Sequence, residues 1–153
     1  MKEAKRSRTS RPIRVFLSHA SADSALANKV RALLFRRLNA PVVTNEDLSA
    51  GQDWQSQLRK ELEKADVFVA LLTPNSITDS WVLQETGAAW ALEKPIIPLV
   101  TRLDILDRFP IQLRTYAAWD LKDLDTPDGS ERFAEALERS LTSSCLSTRL
   151  TSI

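Results

Sequence analysis

The segment SWVLQETGAAW, residues 80–90, has a helical pattern, and its only charged residue is Glu85. No other charge lies between Trp81 and Glu93. Trp81 and Glu85 are four residues apart and share a helix face that Ala88 and Ala89 continue. Val82, Thr86 and Ala89 run alongside, and Leu83, Gly87 and Trp90 form a separate stripe. Between an indole and small residues a carboxylate is partly desolvated, so its pKa tends upward unless a donor offsets the effect. The other reading is a solvent-exposed glutamate that merely favours helix, and the residues alone leave both open.

Other chemistries lack their parts. His19 is the only histidine and Ser18 is its sequence neighbour. Adjacent side chains at a strand end point apart, which makes them a poor nucleophile–base pair. A single cysteine, Cys145, excludes an intramolecular disulfide and a thiolate metal site, so no metal and no bound cofactor is expected. Three glycines, Gly51, Gly87 and Gly129, cannot build a glycine-rich phosphate loop. One carboxylate does suffice for one reaction class. Cleaving the N-glycosidic bond of a nicotinamide dinucleotide expels a pyridine that is already cationic in the substrate, so no general acid is needed. What is needed is stabilisation of a ribosyl oxocarbenium-like transition state, which a single carboxylate beside the ribose provides. An indole one turn earlier offers a stacking surface.

These residues must be positioned by a scaffold, and the pattern of elements defines it. RVFLS (14–18) is a short buried strand. Ser21 or Asp23 can cap the helix that follows, whose Leu26, Val30, Leu33, Leu34 and Leu38 recur at spacings of three and four. PVVT (41–44) is a second strand and NEDLSAGQ (45–52) a loop. Asp53 can cap a helix in which Trp54, Leu58 and Leu62 repeat at fours, which assigns Trp54 to the core. DVFVALLT (66–73) is a nearly continuous apolar run, as in a strand buried on both faces of a parallel sheet. PNSITDS (74–80) is a loop with Asp79 and Ser80 as cap candidates for the helix of Glu85. IIPLV (96–100) is a fourth strand, 101–114 is ambiguous, and AAWDL (117–121) suits a short edge strand. Phe133, Leu137 and Leu141 mark a last helix. Trp90 and Trp119 are assigned to packing.

Strands alternating with helices predict an α/β fold, a flavodoxin-like three-layer sandwich with a five-stranded parallel sheet of order 2-1-3-4-5. Such sheets bind ligands beyond the carboxyl ends of the strands, at the switch point between the first and third. The loops 18–23 and 73–80 line that crevice. A phosphoacceptor receiver domain shares the order but needs acids at those strand ends, which here read FLS and LLT.

The composition, 43% hydrophobic and 27% charged, is that of one globular domain. Lys and Arg (21) nearly balance Asp and Glu (20), so no strong field recruits nucleic acid or an anionic membrane. No apolar run is long enough to span a membrane and the N-terminus lacks a signal-peptide core, so the expected location is cytoplasmic. The division expected is a flexible basic tail over 1–11, a domain over 12–144, and a loose polar C-terminal tail over 145–153.

The segments FLSHASADS (16–24), VVTNEDLSAGQDW (42–54), DVFVALLTPNS (66–76) and SWVLQETGAAW (80–90) resemble the Toll/interleukin receptor (TIR) domain, particularly its bacterial branch. The resemblance covers about residues 12 to 124, in order and spacing. It implies that Trp81 and Glu85 match the W-x-x-x-E pair of TIR domains that cleave NAD+, with Glu85 catalytic and Trp81 a pocket wall. It further implies NAD+ contacts for His19, Ala20 and Glu46. Self-association is implied through the loop of Asn45, Asp47, Leu48, Ser49, Ala50 and Gly51. From the residues alone His19 is equally a plain loop residue, and Glu46 and Asp47 a solvated turn. Three features depart from the family pattern: Ala20 lacks a polar side chain, Thr86 follows the glutamate where an apolar residue is common, and 102–114 has no clear counterpart. Two function classes follow. One is an NAD+ glycohydrolase yielding nicotinamide and ADP-ribose or a cyclic product, in immune defence or host interference. The other is a non-catalytic adaptor that docks TIR domains. The expected partners are NAD+, further copies of the chain or other TIR domains, and a separate sensor protein. The chain is either free-standing or a piece of a longer protein.

Overall fold

The computed structural model describes residues 11–48, 53–114 and 117–151. Residues 1–10 of the expected basic tail, and Ser49, Ala50 and Gly51 of the expected self-association loop, lie outside the described residues. Five strands, β1 (Val15–Ser18), β2 (Val42–Thr44), β3 (Val67–Leu72), β4 (Ile96–Val100) and β5 (Trp119–Asp120), form one sheet of order β2-β1-β3-β4-β5. Every pairing is parallel. The helices are α1 (Ser24–Leu38), α2 (Trp54–Lys64), α3 (Ser80–Ala91), α4 (Ile111–Arg114), α5 (Leu121–Leu124) and α6 (Pro127–Thr151). The expected α/β three-layer sandwich and its strand order are therefore observed.

Alternation along the strands sorts side chains onto the two faces of the sheet. Val15 and Leu17 of β1, Val67, Val69 and Leu71 of β3, and Ile97 and Leu99 of β4 pack against α1 and against Phe133 and Leu137 of α6. Phe16, Phe68, Ala70, Leu72, Ile96 and Val100 form the opposite core with Leu58 and Leu62 of α2 and Val82 and Ala89 of α3. Two residues beyond Phe16, Ser18 falls on the face that α3 covers.

β3 is buried along its whole length, which is why its sequence is unbroken by polar residues. Pro98 sits inside β4 without costing a bond to β3. The amide of Thr101 donates to Leu72 O and that of Phe68 to Pro95 O. In a parallel ladder the donors of alternate residues face alternate sides, so those of residues 97, 99 and 101 face β3. The missing N–H of Pro98 thus lies on the outer side, where β5 pairs only with Leu99 and Val100.

Helix ends follow from local chemistry. Asp79 Oδ1 accepts from the amides of Trp81 (2.9 Å) and Val82 (3.3 Å) at the start of α3, and Asp53 accepts from Ser56 N at the start of α2. Asn39 ends α1 with φ 53°. Three expectations are corrected. Neither Ser21 nor Asp23 caps α1: Asp23 holds the cap position without a side-chain cap bond, because its carboxylate is used elsewhere. The ambiguous stretch 101–114 is a 3-10 turn (Leu103–Arg108) followed by the one-turn α4. The loose C-terminal tail is helical as far as Thr151, since the absence of apolar periodicity in a polar segment says nothing against helix. Arg11, at the end of the expected basic tail, donates to both carboxylate oxygens of Asp66 at 2.8 Å.

Candidate active site at the switch point

The site begins with the placement of α3. Val82 and Ala89 bury against the sheet, and Glu85, three residues after one and four before the other, falls on the same inward stripe. Its helix therefore aims it at the sheet, where β1 ends in Ser18 on the matching face. Ser18 Oγ donates to Glu85 Oε1 at 2.9 Å. Glu85 has no exposed surface, and its second oxygen, Oε2, is buried without a hydrogen-bond partner among the described residues. Burial pushes the Glu85 carboxyl up to about 8, against the Ser18 hydrogen bond, which lowers it, and with the nearby Asp79 charge, which raises it. The carboxyl is thus mostly neutral at pH 7 in this closed arrangement.

Trp81 is 41% exposed, and its ring meets that of Trp54 with centroids 4.3 Å apart. The expected shared face of Trp81 and Glu85 is resolved into two directions. Glu85 turns inward with Val82 and Ala89, while Trp81 turns to the rim. Trp54, expected in the core, is half-buried against it and also backs Trp81. Trp90, assigned to packing, is 55% exposed, because its stripe with Leu83 and Gly87 is turned away from the sheet. Trp119 does pack, edge-on against Phe133. Thr86 is buried and satisfies its own hydroxyl by donating to Val82 O at 2.6 Å, so a polar residue after the glutamate disturbs nothing.

The residues after Ser18 are also buried. His19 Nδ1 lies 2.8 Å from Ala20 O, and since a carbonyl only accepts, that nitrogen carries the proton. His19 Nε2 has no hydrogen-bond partner among the described residues and lies 3.8 Å from Glu46 Oε1. The His19 ring thereby spans from the β1 tip to the turn after β2. Ala20 is buried, with its carbonyl engaged by His19. Asn45, Glu46 and Asp47 form a 3-10 turn in which Thr44 N donates to Asp47 Oδ2 and Glu46 N to Thr44 Oγ1. Asp47 also pairs with Arg31, and Leu48 packs at the edge of the α2–α3 core. Glu46 is the member of this turn that approaches His19.

Sequence reasoning named Glu85, Trp81, His19, Ala20 and Glu46 and missed the direct partner of the carboxylate, Ser18. The signal was present in the two-residue alternation from Phe16. It also missed Asp23, whose Oδ2 accepts from Thr73 Oγ1 and whose Oδ1 accepts from Asn75 Nδ2 at 2.8 Å. Among the described residues, no group of three or more His, Cys, Asp or Glu side chains converges as a metal site requires. No helix among them is long and apolar enough to cross a membrane.

This fold is that of a family that the sequence also matches. Residues 15–144 match the TIR domain family, and the chain belongs to it. No curated protein matches in sequence. Among solved structures, the chain is similar to the TIR domain of the Toll-related receptor TRR-2 from Hydra magnipapillata, with 16% identity, TM-score 0.66, and coverage of 81% of this chain and 97% of that one. It is similar also to a 2-desoxiribosyltransferase from Leishmania mexicana, with 16% identity, TM-score 0.59, and coverage of 81% and 98%. The TIR domains of the activated Roq1 resistosome are a third likeness, with 15% identity, TM-score 0.52, and coverage of 85% and 84%. At these identities the likeness is one of fold.

Proposed function

We propose that this TIR domain is an NAD+ glycohydrolase with Glu85 as its catalytic carboxylate. The observation that carries the reading is the placement of Glu85: on the buried stripe of α3, at the C-terminal tip of β1, with Oε1 held by Ser18 and Oε2 without a partner. A buried acid with a spare oxygen has little structural reason to exist, since an isolated buried polar atom costs free energy. A ribose hydroxyl supplies the missing donor. A cationic nicotinamide nearby favours the anion and lowers the carboxyl's pKa as the substrate enters.

In the reaction, the electron pair of the ribosyl C–N bond leaves with nicotinamide, which departs neutral. Positive charge develops on the ribosyl ring, and the Glu85 carboxylate stabilises it in a site shielded from water. Water then attacks the anomeric carbon and releases a proton, giving ADP-ribose. An adenine nitrogen attacking in its place gives a cyclic product. Trp81, at the rim and braced by Trp54, is the stacking surface for nicotinamide, while His19, Ala20 and Glu46 border the ribose and phosphates. Copies of the chain associate through the turn at Asn45, Asp47 and Leu48 and the residues that follow, and one copy completes the site of the next.

The complete burial of Glu85 favours a second reading, a non-catalytic adaptor in which the acid is sealed for good. One experiment decides between them: concentrated protein is incubated with NAD+, and nicotinamide and the second product are followed by mass spectrometry. Release by the wild type that is lost in Glu85→Ala, with the circular dichroism spectrum preserved, supports the enzyme. Absence of release at any protein concentration supports the adaptor.

A further inference from the structure

Glu85 cannot touch a ligand in the arrangement observed, because it has no exposed surface. Beyond Ser18 at the tip of β1, the segments after β1 and β3, the two that border the switch point, carry further buried polar side chains: His19 and Asp23 on the first, Thr73 and Ser76 on the second. These loops are tied to each other by one carboxylate. Asp23, itself buried, takes the Thr73 hydroxyl on Oδ2 and the Asn75 amide on Oδ1. Thr73 is in turn part of a tight turn. Its amide donates to Ser76 Oγ at 2.7 Å, its Oγ1 accepts from Asn75 N at 3.1 Å, and its carbonyl accepts from Ser76 Oγ at 2.9 Å. Asp23 therefore grips a pre-formed turn and leaves the start of α1 without its own side-chain cap. Forgoing a cap is unfavourable, which marks the cross-loop use of this carboxylate as the more favourable one.

We infer that Asp23, through Thr73 and Asn75, is a positioning residue that clasps the two crevice loops together and sets the fraction of molecules in which Glu85 is open to a ligand. This rests on the reading of Glu85 as the group that meets the substrate. In the clasped state the competent fraction is small, and apparent affinity is reduced by that fraction. Loosening the clasp lowers KM while leaving kcat unchanged, because the clasp touches neither Glu85 nor Ser18. A contact that merely held the fold would do the reverse: its loss would disorder the site and reduce kcat.

Asn75 is exposed and contributes one of the two ties, so Asn75→Ala loosens the clasp with little risk to folding. Asp23→Ala removes both ties. Asp23→Asn retains an acceptor for the Thr73 hydroxyl and, with the Asn75 amide turned over, a donor to its oxygen, and restores wild-type behaviour. The first readout is labelling of Glu85 by a water-soluble carbodiimide and a small amine, quantified by peptide mass spectrometry on folded protein. Removal of one charge-assisted hydrogen bond raises the open population, and with it the labelling rate, on the order of tenfold in Asn75→Ala, with a larger rise in Asp23→Ala. The second readout is KM for NAD+, which falls several-fold in Asn75→Ala. Unchanged labelling in Asn75→Ala and in a folded Asp23→Ala overturns the clasp, as does a lower kcat in Asn75→Ala. If Asp23→Ala fails to fold, Asn75→Ala decides alone. Increased labelling in a protein that leaves NAD+ intact upholds the clasp and rejects the glycohydrolase reading, so the two failures are distinct.

Discussion

Two carboxylates sit at opposite ends of the same sheet and are treated in opposite ways. Asp66, just before β3, accepts from the two terminal guanidinium nitrogens of Arg11 at 2.8 Å and from Arg14 N at 2.9 Å. Burial raises its pKa, but these donors and the Arg11 and Lys94 charges outweigh burial, and the group ends below its ordinary value. Glu85, beside the far tip of β1, has one hydroxyl and no cation, and it ends near 8. Burial pushes both in one direction, so the number and charge of the donors decide the outcome. At the amino end of the sheet Lys94 likewise donates to Glu63 O and Ala65 O, at 2.9 and 2.8 Å. The carboxyl end keeps unpartnered atoms on Glu85 and His19. The first pattern anchors a fold. The second leaves hydrogen-bonding capacity for something else.

The sharpest way to break this contrast is to remove the acid from each end. Glu85→Ala should reduce NAD+ cleavage on the order of 10²- to 10³-fold, the scale of losing one transition-state electrostatic contact, whereas Asp66→Asn should leave kcat unchanged. Nicotinamide release by both variants checks this.

The next effect is on stability and has opposite signs at the two ends. A folded-state value of about 8 lies above the ordinary 4.5, so the folded protein holds the Glu85 proton more tightly than the unfolded chain does. That contribution is complete below about pH 4.5, is lost as pH rises to about 8, and is flat beyond, a span of a few kcal/mol at ~1.4 kcal/mol per unit. Glu85→Gln should abolish the decline and melt higher than the wild type at pH 9. Asp66, lowered in the fold, stabilises above its unfolded value and loses this as pH falls through the folded one. Asp66→Asn should therefore cost about 1–2 kcal/mol at pH 7 and much less in strong acid. Thermal melts across pH test both.

A smaller effect concerns Ser18. Its hydrogen bond lowers the Glu85 pKa, so Ser18→Ala should move the alkaline midpoint of kcat/KM for NAD+ upward from that of the wild type. An unmoved midpoint would mean that the hydroxyl does not tune the acid. Smallest of all, Trp81→Phe should keep an aromatic face and raise KM only several-fold, with kcat nearly unchanged.

The sequence carried the architecture because alternation and helical spacing are local, and local patterns are what a chain displays. The continuous β3 and the caps Asp53 and Asp79 were readable for that reason. The inward turn of Glu85 was readable too, but only by choosing the Val82–Ala89 stripe over the Trp81 face, and helical spacing supports both until the sheet is placed. Ser18 and Glu85 are 67 positions apart, and Asp23 lies 50 from Thr73. The alternation from Phe16 gives the face of Ser18, but nothing local announces the partner in either bond. Asp23 in particular reads as a helix cap, because the same carboxylate serves either purpose and tertiary packing makes the choice. The segment 101–114 stayed opaque because a 3-10 turn and a single helical turn are too short to show periodicity.

Pro98 has an effect beyond β4 itself. With no amide to offer at that step, the outer side of the strand cannot hold a full-length neighbour, and the sheet tapers to the two residues of β5. A tapered border presents no long row of free donors for a stranger's strand to zip onto. For a molecule proposed to work while crowded against its own copies, that border is a guard against aggregation, and it steers assembly towards other faces.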